Sequence, residues 1–94
     1  MSKKVDVKHI LVKTQEQAQD ILNEIATGKS FEDLAKLKST CPSGKKGGSL
    51  GWFGHGQMVR EFQVAAFKLK KGEISEPVKT QFGWHLIKCV DTKG

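Results

Sequence analysis

Cysteine, proline and tyrosine are scarce in this 94-residue chain, which has two, two and none of them. Cys41 and Cys89 are too few for a disulfide framework and stand at no metal-binding spacing. Free thiols in a reducing compartment are the expectation. No apolar run approaches the roughly 20 residues of a membrane-spanning helix. The opening Met1-Ser2-Lys3-Lys4-Val5 lacks the apolar stretch of a secretory signal, so a cytoplasmic location is expected. Negative charge is also short: 10 Asp and Glu stand against 16 Lys and Arg, a net +6. That surplus suits anionic lipid, nucleic acid or acidic polypeptide. For such binding Lys3, Lys4, Lys36, Lys38, Lys45 and Lys46 would have to converge on one face. Their scatter points instead to a solvated surface with at most a weak anionic membrane contact, and nucleic acid is not the expected partner.

The length suits one domain spanning residues 1–94 that folds on a single core, and nothing suggests more than a monomer. Val5 to Val12 alternates as a strand, with Val5, Val7, His9 and Leu11 on one face and Asp6, Lys8, Ile10 and Val12 on the other. Thr14 and Gln17 form a capping box that opens a helix with the stripe Ala18, Ile21, Leu22, Ile25 and Ala26, stopped by Gly28. Ser30 caps a second helix with Phe31, Leu34 and Ala35 inward. Residues 39–49 read as a loop, followed by a short strand from Leu50 to Gly54. A third helix is predicted from Met58 to Leu69, closed by Gly72. Val78 to Thr80 and Trp84 to Val90 read as strands, with a frayed tail beyond. The mixture without a regular βαβ repeat predicts an α+β fold with a mostly antiparallel sheet.

Several familiar motifs fail. Gly28-Lys29-Ser30 lacks the earlier glycine of a phosphate-binding loop, since position 23 is Asn23. Gly54-His55-Gly56 opens no dinucleotide fingerprint, because Val59 stands where a glycine is needed. Gly48-Ser49-Leu50-Gly51 is one residue short of a nucleophile elbow. His9, His55 and His85 have no second ligand at helical or strand spacing, so no metal is expected. What remains is a histidine on an otherwise apolar face of each of two strands, a loop cysteine before Pro42, and the apolar set Leu50, Met58 and Phe62. Taken singly, each is more often a structural feature than a functional one.

Together they form a pattern. His9-Ile-Leu-Val-Lys, Cys41-Pro-Ser-Gly, Gly47-Gly-Ser-Leu-Gly-Trp-Phe-Gly, Gly56-Gln-Met-Val, Gly72-Glu-Ile-Ser-Glu-Pro-Val and Thr80-Gln-Phe-Gly-Trp-His-Leu-Ile-Lys follow one another in order. In that order and spacing the chain resembles the parvulin family of peptidyl-prolyl cis/trans isomerases from about residue 5 to residue 90. The resemblance implies a four-stranded antiparallel sheet surrounded by helices in the order β, two or three α, β, α, β, β. It implies catalytic positions at His9, Cys41, Thr80 and His85, and a proline pocket of Leu50, Met58 and Phe62 with Gln57 and Phe82 beside it. It implies no cofactor and proline-containing polypeptides as substrates. A family branch that reads phosphorylated residues before proline uses a basic loop after the first strand. Here Lys13-Thr14-Gln15-Glu16 passes straight into the helix, so little phosphate preference is expected. Two other readings compete: a non-catalytic peptide-binding or chaperone module, favoured if Trp52 and Phe53 are exposed beside the pocket, and a basic surface for anionic membrane or nucleic acid.

Overall fold

The computed structural model describes residues 4–94; Lys3 lies outside them. The chain is α+β, in the order β1 (Lys4–Val12), α1 (Gln15–Ala26), α2 (Phe31–Lys38), a 3-10 turn (Pro42–Lys46), β2 (Ser49–Gly54), α3 (Arg60–Lys68), β3 (Val78–Thr80) and β4 (Gly83–Lys93). The strands form one sheet in the order β2-β1-β4-β3, and every pairing is antiparallel. The alternation along β1 sends its side chains to two different cores. Ile10 and Val12, with Leu86 of β4, pack under α1 and α2 against Ala18, Ile21, Phe31, Leu34 and Ala35. Val5 and Val7, with Phe53 and Ile87, pack under α3 against Phe62 and Ala66.

The caps hold where side chains can make them. Thr14 and Gln17 form the full capping box, and Ser30 Oγ accepts the Asp33 N–H. Four boundaries differ from the expectation. The stretch after Ser39 is not all loop, because Pro42 sits at the start of a 3-10 turn that its fixed φ favours. Helix α3 starts at Arg60 rather than Met58: Val59 is extended (ψ 146°) and no side chain caps this end. The helix ends at Lys68, and Gly72 instead serves the next turn with φ +89° and an N–H donated to the Cys89 carbonyl. The C-terminal tail is not frayed, since Lys93 and Thr92 pair with Lys4 and Val5. That extension passes a bulge at Val90, where β4 gains one residue over β1.

One polar contact ties α2 to the sheet. Lys8 and Lys88 lie directly opposite each other on β1 and β4. The Glu32 carboxylate sits between them, 3.1 Å from each ammonium. Partial burial raises the Glu32 pKa, but its own N–H and the two lysines more than offset this and hold the carboxyl well below its usual range. Removing the carboxylate leaves two like charges facing each other. We expect Glu32→Ala to lower the unfolding free energy by about 1–3 kcal/mol in a urea titration, with part of the loss recovered by adding Lys88→Ala. An unchanged midpoint would contradict this role.

Candidate active site

His9 and His85 are not directly opposite in the sheet. The register pairs His9 with Ile87 and Leu11 with His85, so the two imidazoles are diagonal neighbours on one face. Aromatic side chains reach across that diagonal. The Nδ1 atoms meet at 3.0 Å with the rings nearly parallel, 18° apart. Both residues are buried. The Phe62 ring of α3 stands edge-on to both, 5.5 Å from His9 and 5.2 Å from His85.

Each outer ring nitrogen has a hydroxyl partner. His9 Nε2 lies 3.0 Å from Ser43 Oγ, and His85 Nε2 lies 2.7 Å from Thr80 Oγ1. Ser43 Oγ donates to Cys41 Sγ at 3.3 Å, and the Phe82 N–H donates to Thr80 Oγ1 at 3.1 Å. These contacts fix the direction of the whole chain. Ser43 spends its proton on sulfur, so it must accept from His9 Nε2–H. His9 Nδ1 is then an acceptor and takes the proton on His85 Nδ1. His85 Nε2 accepts in turn, from the Thr80 hydroxyl. Run the other way, the buried Thr80 hydroxyl would have no acceptor among these contacts. The result is one line of five hydrogen bonds from the Phe82 amide to the half-buried Cys41 sulfur.

The loop that carries Cys41 and Ser43 is pinned to β1. The His9 N–H donates to the Gly48 carbonyl at 2.9 Å, and the Gly48 N–H donates to the Ser43 carbonyl at 2.9 Å. Gly48 has φ +89°, and a Cβ there would fall 2.4 Å from the His9 carbonyl oxygen, so only glycine fits. Ser39 Oγ adds bonds from the Leu11 and Cys41 amides.

Beside this polar line lies an apolar patch. Leu50 and Met58 are half-buried and pack on the cluster that contains Phe62, which is itself only 3% exposed. Gln57 is exposed, and its Oε1 is taken by the Gly54 N–H at 2.6 Å. Phe82 is 62% exposed on the β3–β4 turn, so its amide rather than its ring enters the network. Phe53 is 4% exposed, inside the core under α3. Trp52, next to it in β2, points to the opposite face, under the Lys93 ammonium. Neither therefore forms the exposed aromatic platform that a pure binding module would use. The residue that sequence reasoning left without a role is Ser43. Its position two residues after Cys41, across Pro42, places it in a tight turn, but nothing in the sequence aims that turn at β1.

Among the described residues no cluster of His, Cys, Asp or Glu could hold a metal ion. Two concavities lie elsewhere on the surface: one of about 450 Å³ whose lining includes Val12, Lys13, Gln17, Asp20 and Lys38, and one of about 350 Å³ whose lining includes Lys36, Cys41 and Lys45. Neither includes Leu50, Met58 or Phe62.

Burial keeps both imidazoles neutral. It lowers the His9 pKa from 6.5 to about 4, with the neighbouring His85 adding to the shift, and it lowers that of His85 too. The unfolded chain therefore binds protons that the folded chain refuses. Stability is full above pH 6.5 and declines as pH falls toward about 4. Denaturant titrations across that window check this, and a flat profile would contradict buried neutral rings.

Comparison with known proteins places the chain among recognised relatives. Residues 4–91 match the Rotamase family, described as the PPIC-type PPIASE domain. The chain is 53% identical over 90 residues to the foldase protein PrsA 1 of Bacillus cereus, covering 95% of this chain and 32% of that protein. It is 50% identical over 92 residues to the foldase protein PrsA of Bacillus subtilis, again 32% of that protein. The chain thus spans about a third of the length of these curated relatives. Among solved structures, NmPin, the parvulin of Nitrosopumilus maritimus, superposes with a TM-score of 0.84 at 45% identity, covering 100% of this chain and 99% of that one. The crystal structure of PrsA from Bacillus subtilis gives 0.94 at 49% identity, over 98% of this chain and 36% of that one.

Proposed function

Because this chain belongs to the PPIC-type peptidyl-prolyl cis/trans isomerase family, the parvulins, we propose that it catalyses rotation about X–Pro bonds in polypeptides and so assists folding. The observation that carries this reading is the meeting of the Leu50–Met58–Phe62 patch with the imidazole line, Phe62 standing edge-on to both rings. Rotation of a peptide bond faces a barrier of about 18–20 kcal/mol from amide resonance. Water stabilises the planar, charge-separated form, so a dry slot favours the twisted one. In this reading Leu50 and Met58 hold the pyrrolidine ring over Phe62 and exclude water. Cys41, at the polar end of the line, meets the carbonyl side as it turns. The free Nε2 of Gln57 donates to the peptide backbone, and Phe82 flanks the slot from its turn. His9, His85, Ser43 and Thr80 hold Cys41 and the slot floor in place.

No bond to carbon is made or broken in the reaction, so a noncovalent role for Cys41 suffices and neither metal nor redox cofactor is required. Lys13 alone follows β1, which supports little preference for a phosphorylated residue before proline. The two free thiols suit a reducing, cytoplasmic setting. Among the described residues the exposed large apolar side chains, Leu37, Trp52, Val64 and Phe82, lie on separate parts of the fold, which suits a monomer. A second reading, weak contact with an anionic surface, draws on Lys36 and Lys45 lining one concavity and predicts steep salt dependence.

The test is exchange spectroscopy of a short proline peptide with catalytic amounts of protein. Wild type accelerates cis/trans exchange. Leu50→Ala and Met58→Ala each lower kcat/KM about tenfold or more while the protein stays folded. Phe62→Ala is a poor probe, because loss of a buried ring costs about 3–5 kcal/mol of stability. Cys41→Asp keeps activity within about tenfold. Peptide binding without acceleration would favour a binding module over an isomerase, and loss of all activity in Cys41→Asp would contradict the noncovalent role.

A further inference from the structure

The segment 55–59 carries Met58 to the slot but forms no helix or strand of its own after β2 ends at Gly54. Gln57 Oε1 ties it back to the Gly54 N–H, and the rest of its shape is held from α3. Gln63 Oε1 accepts the Gly56 N–H at 2.5 Å, and Gln63 Nε2 donates to His55 Nδ1 at 3.4 Å. The His55 ring lies flat on Phe67, with centroids 4.0 Å apart and planes 23° from parallel. Phe67 meets Phe53 edge-on at 5.8 Å. The orientation of the Gln63 amide is dictated by chemistry. A backbone N–H can only donate, so the amide oxygen must face Gly56, and the nitrogen is left to face His55. His55 must therefore accept on an unprotonated Nδ1.

Gln63 is half-buried and His55 exposed, and neither belongs to the core clusters. What the pair restrains is Gly56, a glycine at φ +86° with nothing within 4 Å of where a Cβ would lie. Without that bond the only side-chain hydrogen bond left to the backbone of residues 54–57, among the described contacts, is that of Gln57 on the Gly54 N–H, and Gly56, two residues before Met58, gains backbone freedom. We propose that Gln63 is a positioning residue for the proline slot: it locks Gly56, and through it Met58, with His55 on Phe67 holding the other end of the amide. The proposal rests on the isomerase reading for its kinetic consequence, but its structural consequence can be read without any substrate.

A glutamate at position 63 keeps a carboxylate oxygen that accepts the Gly56 N–H, whereas an alanine removes the acceptor.

The experiment compares wild type with Gln63→Ala, Gln63→Glu and His55→Phe. Proline exchange at a series of peptide concentrations separates KM from kcat, and the Met58 methyl resonance is followed in the free protein. We expect Gln63→Ala to raise KM about 2–10-fold, with kcat within about twofold and the thermal midpoint nearly unchanged. Gln63→Glu restores KM. The Met58 methyl shift moves in Gln63→Ala and returns toward its wild-type value in Gln63→Glu, while His55→Phe, which keeps a ring on Phe67 but offers the amide no acceptor, moves it less than Gln63→Ala. A wild-type KM and methyl shift in Gln63→Ala, or no recovery in Gln63→Glu, would overturn the proposal. If wild type fails to catalyse exchange at all, the isomerase reading falls, while the methyl shifts still decide whether the clamp exists.

Discussion

The site is organised by one hydrogen bond between two neutral imidazoles, His9 Nδ1 to His85 Nδ1 at 3.0 Å. Two buried rings can share that contact only if one carries the proton and the other does not. That single asymmetry sets the tautomer of each ring, and hence which partner each outer nitrogen needs. Ser43 must accept and Thr80 must donate. Cys41 inherits a donor from Ser43, and Thr80 finds its own in the Phe82 amide. A protonated ring would break the line, which is why burial under Phe62 matters as much as the hydrogen bonds. Desolvation is the largest reason both rings stay neutral.

Phe62 links the core to the imidazole line. Its ring is part of the core under α3, the same ring faces both histidines, and Leu50 and Met58 pack on the cluster to which it belongs. A ring already packed in the core changes little on any contact made over it. Met58 sits on a segment held by side chains rather than by a helix or sheet, through Gln57 on the Gly54 amide and Gln63 on the Gly56 amide.

Much of this arrangement is visible in the residues alone, and what is missing has a common physical origin. Alternation along Val5–Val12 and Trp84–Val90 puts His9 and His85 on the faces they occupy, because a strand's side-chain period is local. Thr14, Gln17 and Ser30 mark their helix starts for the same reason. Register is not local. Whether His85 faces His9 directly or diagonally depends on how β4 docks on β1, including a bulge at Val90 that no pattern in the strand announces. The role of Ser43 is not legible in the sequence because it depends on the loop docking against β1 through Gly48. Met58 and Phe62 share helical spacing, but Val59 is extended, so the helix begins between them and Met58 falls to the loop. Trp52 and Phe53 are adjacent, so one had to face away from the slot, and the sheet decided which.

The most direct test of the account is the protonation pattern of the two buried rings, read by long-range nitrogen–proton correlation of the imidazoles at neutral pH. The account predicts two neutral rings of opposite tautomer, with His85 carrying its proton on Nδ1 and His9 on Nε2, and with a protected, downfield proton between them. Two rings of the same tautomer, or an imidazolium at either position near neutral pH, would contradict it.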